Sequence, residues 1–159
     1  MPATSTAATE SSRELVITRV FDAPRALVFK VWTQPEHLSQ WWGPHGFTVL
    51  QCEMDFRVGG GWYIRMRSAE GREDRQRGVI REIVAPQLLV FTYAFEDERG
   101  QRGHETVVTV TFAEVGGKTM LTLHQAIFES DEVRNDHVRG WGEALERLTE
   151  YVLSASIKE

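Results

Sequence analysis

Cys52 is the only cysteine among 159 residues, so neither an intrachain disulfide nor a cysteine-based metal cluster can form. A reducing cytoplasm is the expected compartment. The five histidines, at 37, 45, 104, 124 and 137, include no close pair and no H-x-x-x-H spacing of the kind a helical zinc site uses. Neither a metal nor a cofactor is expected. No apolar run approaches the ~20 residues of a membrane span, and residues 1–12, MPATSTAATESS, lack the basic start and apolar stretch of a signal peptide. They read as a disordered tail. Positive charge is not in excess either: 18 Lys and Arg against 23 Asp and Glu leave a net charge of −5, which argues against nucleic acid as a partner. Catalytic fingerprints are missing as well. There is no G-x-S-x-G elbow, Walker loop or dinucleotide-binding motif, and VGGG at 58–61 lacks the spacing and the strand-to-helix context of one.

What remains is the composition of an ordinary globule, 42% hydrophobic and 26% charged, of a length that suits one domain over residues 13–157. ELVITRVF (14–21) has the Val and Ile content of a strand. Pro24 suits the first turn of a helix carrying Leu27, Val28, Val31 and Trp32 on one stripe. Thr33-Gln34-Pro35-Glu36 has capping-box spacing, so a second short helix is predicted with Thr33 as cap, ending at Gly43-Pro44. Six further strands are predicted at 47–56, 62–68, 78–84, 88–95, 106–115 and 118–128. Gly116-Gly117 marks a two-residue hairpin, because a type I′ turn needs positive φ at both positions. A long final helix starts at Ser130, with Val138, Trp141, Leu145, Leu148 and Val152 on one face. The class is α+β: a mostly antiparallel, curved sheet with a long C-terminal helix laid across it.

A straight helix cannot press flat against a strongly curved sheet, so a cavity is expected between them. Alternation along the strands nominates its walls: Trp62, Ile64 and Met66; Phe91 and Tyr93; Val108 and Val110; Leu121 and Leu123. The helix contributes His137, Trp141 and Leu145. Trp41 and Trp42 are about 100° apart on a helix, so one packs inward and Trp42 is taken as the residue lining the cavity mouth; the alternative is that both are structural. His137 offers one polar contact to a bound molecule, or else bonds to backbone. His124 falls on the outward face. Arg65, Arg67, Arg72, Arg75, Arg77 and Arg81 are interleaved with Glu70, Glu73, Asp74 and Glu82, a pattern of cross-strand pairing on a solvated face.

VFDAPRALVFKVWTQPEHLSQWWGP (20–44), FRVGGGW (56–62), GVIREIVAPQLLVFTY (78–93) and HVRGWGEALERL (137–148) together resemble the START-like, or SRPBCC, superfamily, and within it the branch named for the activator of the heat-shock-protein-90 ATPase homologue. That resemblance implies a helix-grip fold: seven antiparallel strands holding a long C-terminal helix around a hydrophobic cavity. It also implies the range of functions. Relatives bind lipids, sterols or hormones, and others are polyketide cyclases or aromatases. The primary expectation is therefore a small apolar or aromatic ligand bound by a monomer or homodimer. An enzyme of the cyclase or hydrolase type is the alternative, with Tyr63, Tyr93, Glu105, Gln125 or His137 placing a proton. The third is a protein-interaction module. A chaperone is the weaker partner expectation, since in the eukaryotic namesake the domain is joined to an additional N-terminal domain not found in these residues.

Overall fold

A computed structural model describes residues 13–158, the side chains of 156–158 excepted; the tail expected over 1–12 lies outside the described residues. Strand β1 (Leu15–Phe21) leads into helices α1 (Arg25–Thr33) and α2 (Pro35–Trp41). Six strands follow: β2 (Thr48–Met54), β3 (Gly61–Arg67), β4 (Glu73–Val84), β5 (Leu88–Glu96), β6 (Thr106–Val115) and β7 (Lys118–Ala126). Helix α3 (Asp131–Lys158) closes the chain. All seven strands form one antiparallel sheet in the order β1-β7-β6-β5-β4-β3-β2. This is the helix-grip arrangement. Helices α1 and α2 carry the chain from edge strand β1 to edge strand β2.

Local chemistry explains most element ends. Gly116 and Gly117 take φ of 57° and 80°, the two positive values the β6–β7 reversal requires. Ser130 caps α3, its Oγ accepting from the Val133 N–H at 3.2 Å. The capping box expected at Thr33 does not form. Thr33 is still inside α1, where its hydroxyl donates back to the Phe29 carbonyl at 3.0 Å. Pro35, which has no N–H to satisfy, is the first residue of α2, so Gln34 becomes the cap position. Strand β4 begins at Glu73 rather than at 78, because pairing with β3 extends it through charged residues whose sequence alone reads as loop.

The core is continuous from β1 across β7, β6 and β5 to the helices. Val108, Val110, Leu121, Leu123, Leu145 and Leu148 are fully buried in it. All five tryptophans are buried together. Trp32 packs against Trp41 at 4.7 Å between ring centroids and stacks on Trp141 at 5.9 Å, while Trp42 meets Trp141 at 5.2 Å and Trp62 at 5.8 Å. The aromatic residues thus fill much of the space between helix and sheet.

Helix α3 tolerates a backbone weakness that can be removed. Gly142 lies in its interior, and a Cβ built there meets nothing within 4 Å. Gly142→Ala should raise the unfolding free energy by roughly 0.5–1 kcal/mol, about 1–4 °C in thermal melting, by relieving the helix penalty of glycine. A fall in melting temperature would show a steric conflict that the geometry does not contain.

Candidate ligand cleft

A cleft of about 690 Å³ opens between β3–β5 and the first half of α3. Alternation along the early part of β4 sends Asp74 and Gln76 toward it, with Arg72 just before the strand, Met66 paired opposite Asp74 and Phe95 opposite Gln76. From α3 come Val133, Asp136, His137, Gly140, Trp141 and Ala144, and the 43–47 loop supplies the third side with Pro44, His45 and Phe47. The loop is held in place by α3. Arg147 donates to the carbonyls of Trp42, Gly43 and Pro44 at 3.0, 3.0 and 3.1 Å, and the His45 N–H donates to Glu143 Oε1 at 3.0 Å. One guanidinium satisfying three successive carbonyls fixes the wall that Trp42 belongs to.

Two polar side chains sit deep in the cleft. His137 Nδ1 lies 2.9 Å from the Val133 carbonyl one turn back, and since a carbonyl only accepts, Nδ1 carries the proton. Nε2 is then the acceptor for the Tyr93 hydroxyl at 3.2 Å. Burial pulls His137 below its ordinary value of 6.5, against the raising effects of the Val133 bond and of Glu129 and Asp136. Burial, and next the Asp74 charge, push the Tyr93 hydroxyl well above its usual range. The pair is neutral near pH 7. Gln76 is the second polar group, only 3% exposed. Trp42 Nε1 donates to its Oε1 at 2.7 Å, and its amide NH₂, on the cleft side, has no acceptor among the described residues.

A second space lies deeper, an enclosed apolar void of about 10 Å³ bounded by Trp32, Trp42, Trp62, Ile64 and Phe91, among others. It is at the lower limit for one water molecule, roughly 10–15 Å³, and its walls provide too few polar partners to hold one. The buried Trp32 Nε1 has no hydrogen-bond partner among the described residues.

The thirteen residues expected to line one cavity are therefore divided. Trp42, Met66, Tyr93, His137 and Trp141 line the cleft, whereas Trp62, Ile64 and Phe91 bound only the inner void. Val108, Val110, Leu121, Leu123 and Leu145 border neither; they are closed core, because α1 and α3 pack directly on that half of the sheet. Of the candidate proton carriers, Tyr93 and His137 come together. Tyr63 occupies the opposite face of β3 from Trp62 and Ile64, and Glu105 is ion-paired to Arg102 at 3.1 Å, away from the cleft. Gln125 is fully buried with both ends engaged, accepting from Trp141 Nε1 at 2.7 Å and donating to Thr106 Oγ1 at 2.8 Å. His124 lies on the outer surface, 2.7 Å from Glu14.

Sequence reasoning missed Asp74, Gln76 and the polar flank of α3, whereas Phe95, on the same strand face as Phe91 and Tyr93, is among the alternating residues that pattern nominates as wall and does line the cleft. The signal was available in part: extending the β3 alternation by antiparallel pairing places Gln76 beside Ile64. The arginine patch pairs mainly as expected, Arg65 and Arg75 with Glu73, Arg77 with Glu96 and Arg72 with Asp74, although the Arg72–Asp74 pair also lines the cleft. No group of three or more His, Cys, Asp or Glu side chains suited to a metal ion occurs among the described residues.

The architecture has close counterparts. A crystal structure of an AHSA1 protein from Silicibacter pomeroyi superimposes with a TM-score of 0.82 at 29% identity, over 89% of this chain and 99% of that one. A solution structure of a protein from Arthrobacter aurescens gives 0.80 at 27% identity, over 91% and 88%. A Chromobacterium violaceum protein gives 0.76 at 25%, over 88% and 96%. No curated protein matches this sequence. The family described as Activator of Hsp90 ATPase homolog 1-like protein matches residues 22–153, and the chain belongs to it.

Proposed function

We propose that the protein binds a small, mostly apolar or aromatic molecule in the cleft between β3–β5 and α3. The supporting observation is a concave space of about 690 Å³ whose apolar walls, Trp42, Phe47, Met66, Phe95 and Trp141, surround a few fixed polar groups. That combination is what small-ligand sites generally present, at volumes of roughly 300–1,000 Å³. The fold is one in which hydrophobic ligands are bound. The cyclase or hydrolase alternative has less support. Proton transfer near pH 7 works best with a group titrating near that pH, and Tyr93 and His137 are displaced in opposite directions so that both stay neutral. Action on a chaperone ATPase would need a protein-docking face rather than this cleft. No described helix is long and apolar enough to cross a membrane, and with the lone cysteine this supports a cytoplasmic setting.

Native mass spectrometry of freshly purified protein, followed by titration with 2-isopropylnaphthalene, tests the reading. Retained small-molecule mass, or saturable one-to-one binding that protects Trp42 and Trp141 from acrylamide quenching, is the expected result. A cleft that arrives empty and takes up no such compound at its solubility limit would overturn it.

A further inference from the structure

We propose that the molecule bound in this cleft is a neutral carbonyl compound, its carbonyl oxygen accepting from the Gln76 amide, and that carboxylates are excluded. The inference rests on the cleft being a ligand site and adds the chemistry of what it selects.

The orientation of Gln76 is dictated by its neighbour. An indole N–H can only donate, so the atom 2.7 Å from Trp42 Nε1 is the amide oxygen and the NH₂ is the other end. Gln76 is 97% buried on a strand, and Trp42, its fixed partner, is held by the three carbonyl bonds to Arg147 that follow it in the chain. Rotation of the amide would set two donors against each other. The NH₂ is thus a preoriented donor on the cleft wall, open to the cleft and with no protein acceptor among the described residues. Gln125, the other buried glutamine, shows the contrast, since Thr106 takes its NH₂ at 2.8 Å. The donor opens onto the cleft, and a ligand oxygen there would take the place of water in a fixed, largely desolvated geometry.

The other deep groups offer the reverse polarity. Tyr93 gives its proton to His137 Nε2, so its oxygen presents lone pairs, and Asp74 can only accept when ionised. A carboxylate would have one donor to meet and several acceptors to repel it. The cleft's charges point the same way. Asp74, Glu129, Asp136 and Glu143 line it against two guanidinium groups, each of which already lies beside one of these carboxylates, Arg72 by Asp74 at 3.5 Å and Arg139 by Asp136. A neutral carbonyl matches the amide and meets no uncompensated charge.

Titration calorimetry in dilute co-solvent with three probes of one shape decides this: 2-acetylnaphthalene, 2-isopropylnaphthalene and 2-naphthoate. The ketone should bind about 3- to 10-fold more tightly than the hydrocarbon, the return from one neutral hydrogen bond, and the naphthoate more weakly than either. Gln76→Glu keeps an oxygen for Trp42 Nε1 and removes the NH₂; Gln76→Met removes both polar ends. In folded Gln76→Met the ketone advantage should fall to parity; in Gln76→Glu it should do so only at a pH high enough to ionise the new carboxyl, whose protonated form keeps an O–H donor. Equal binding of ketone and hydrocarbon to the wild-type protein, naphthoate as the tightest of the three, or a ketone preference that survives Gln76→Met each overturns the proposal while the cleft remains a ligand site. Failure of all three probes overturns both readings. If both variants fail to fold, the wild-type ranking of the three probes decides alone.

Discussion

Trp141→Ala is expected to lower the unfolding free energy by about 4 kcal/mol, within the ~3–5 kcal/mol range for deleting a buried tryptophan. Three contributions are lost together. Trp141 is 5% exposed and stacks on Trp32 with an interplanar angle of 24°. Its edge meets Trp42 at 5.2 Å, and its Nε1 satisfies Gln125 Oε1, which is otherwise buried without a partner. The hole cannot close easily, because strand side chains on one side and the Trp32–Trp41 pair on the other are fixed by their own packing. Trp141→Phe should cost about half as much, since a ring remains but Gln125 Oε1 is still orphaned. Urea unfolding followed by circular dichroism measures both. A loss below about 1 kcal/mol for the alanine variant would mean that the tryptophan cluster does not carry the joint between α3 and the sheet. Binding should fall too, because Trp141 is part of the cleft wall.

The same residue shows which parts of the structure the chain makes legible. Trp141 repeats with Leu145, Leu148 and Val152 at helical spacing, and each is buried. Periodicity is a local signal, so it located α3 and the strands, and Gly116-Gly117 located a hairpin from backbone sterics alone. Local signals fail where the deciding contact is distant. Nothing around Thr33 reveals that its hydroxyl is spent on Phe29, and nothing around Gln76 reveals a tryptophan 34 positions away that fixes its amide. Alternation assigned one face of each strand to the interior, yet could not divide interior into packed core and open cleft. That division depends on how closely α1 and α3 approach each strand, which is why Val108 and Leu123 are core while Met66 and Tyr93 reach open space. A further bias favoured apolar residues for an expected apolar cavity. The residues overlooked, Asp74 and Gln76, are polar side chains at inward positions, and at such positions polarity itself carries the functional information.

Gly78→Ala should cost about 3 kcal/mol, although the change adds a single methyl group. Trp62 Nε1 donates to the Thr92 carbonyl at 2.9 Å by passing over the backbone of β4 at Gly78. A Cβ there would stand 1.8 Å from the Thr92 oxygen and 2.4 Å from Trp62 Nε1. Strand and indole cannot both remain where they are. If the indole yields, a buried hydrogen bond is lost and Trp62 is pressed into Trp42 and Phe91, its partners at 5.8 and 5.7 Å. If the strand yields, the bond from the Val79 N–H to Thr92 Oγ1, at 2.8 Å, goes with it. Overpacking costs roughly 1–3 kcal/mol and the lost bond about 1 kcal/mol more, so melting should fall by some 6–12 °C. Gly61→Ala is the matched control: on the neighbouring strand the new methyl comes no closer than 3.8 Å to the Gly78 carbonyl, and the effect should stay within about 0.5 kcal/mol. The two variants separate a general intolerance of side chains at these strand glycines from the particular crossing of an indole over a strand. Equal losses would remove the crossing as the cause. A selective loss at Gly78, accompanied by weaker ligand binding through the shifted Trp42, would tie the cleft's aromatic wall to one backbone position that has no side chain.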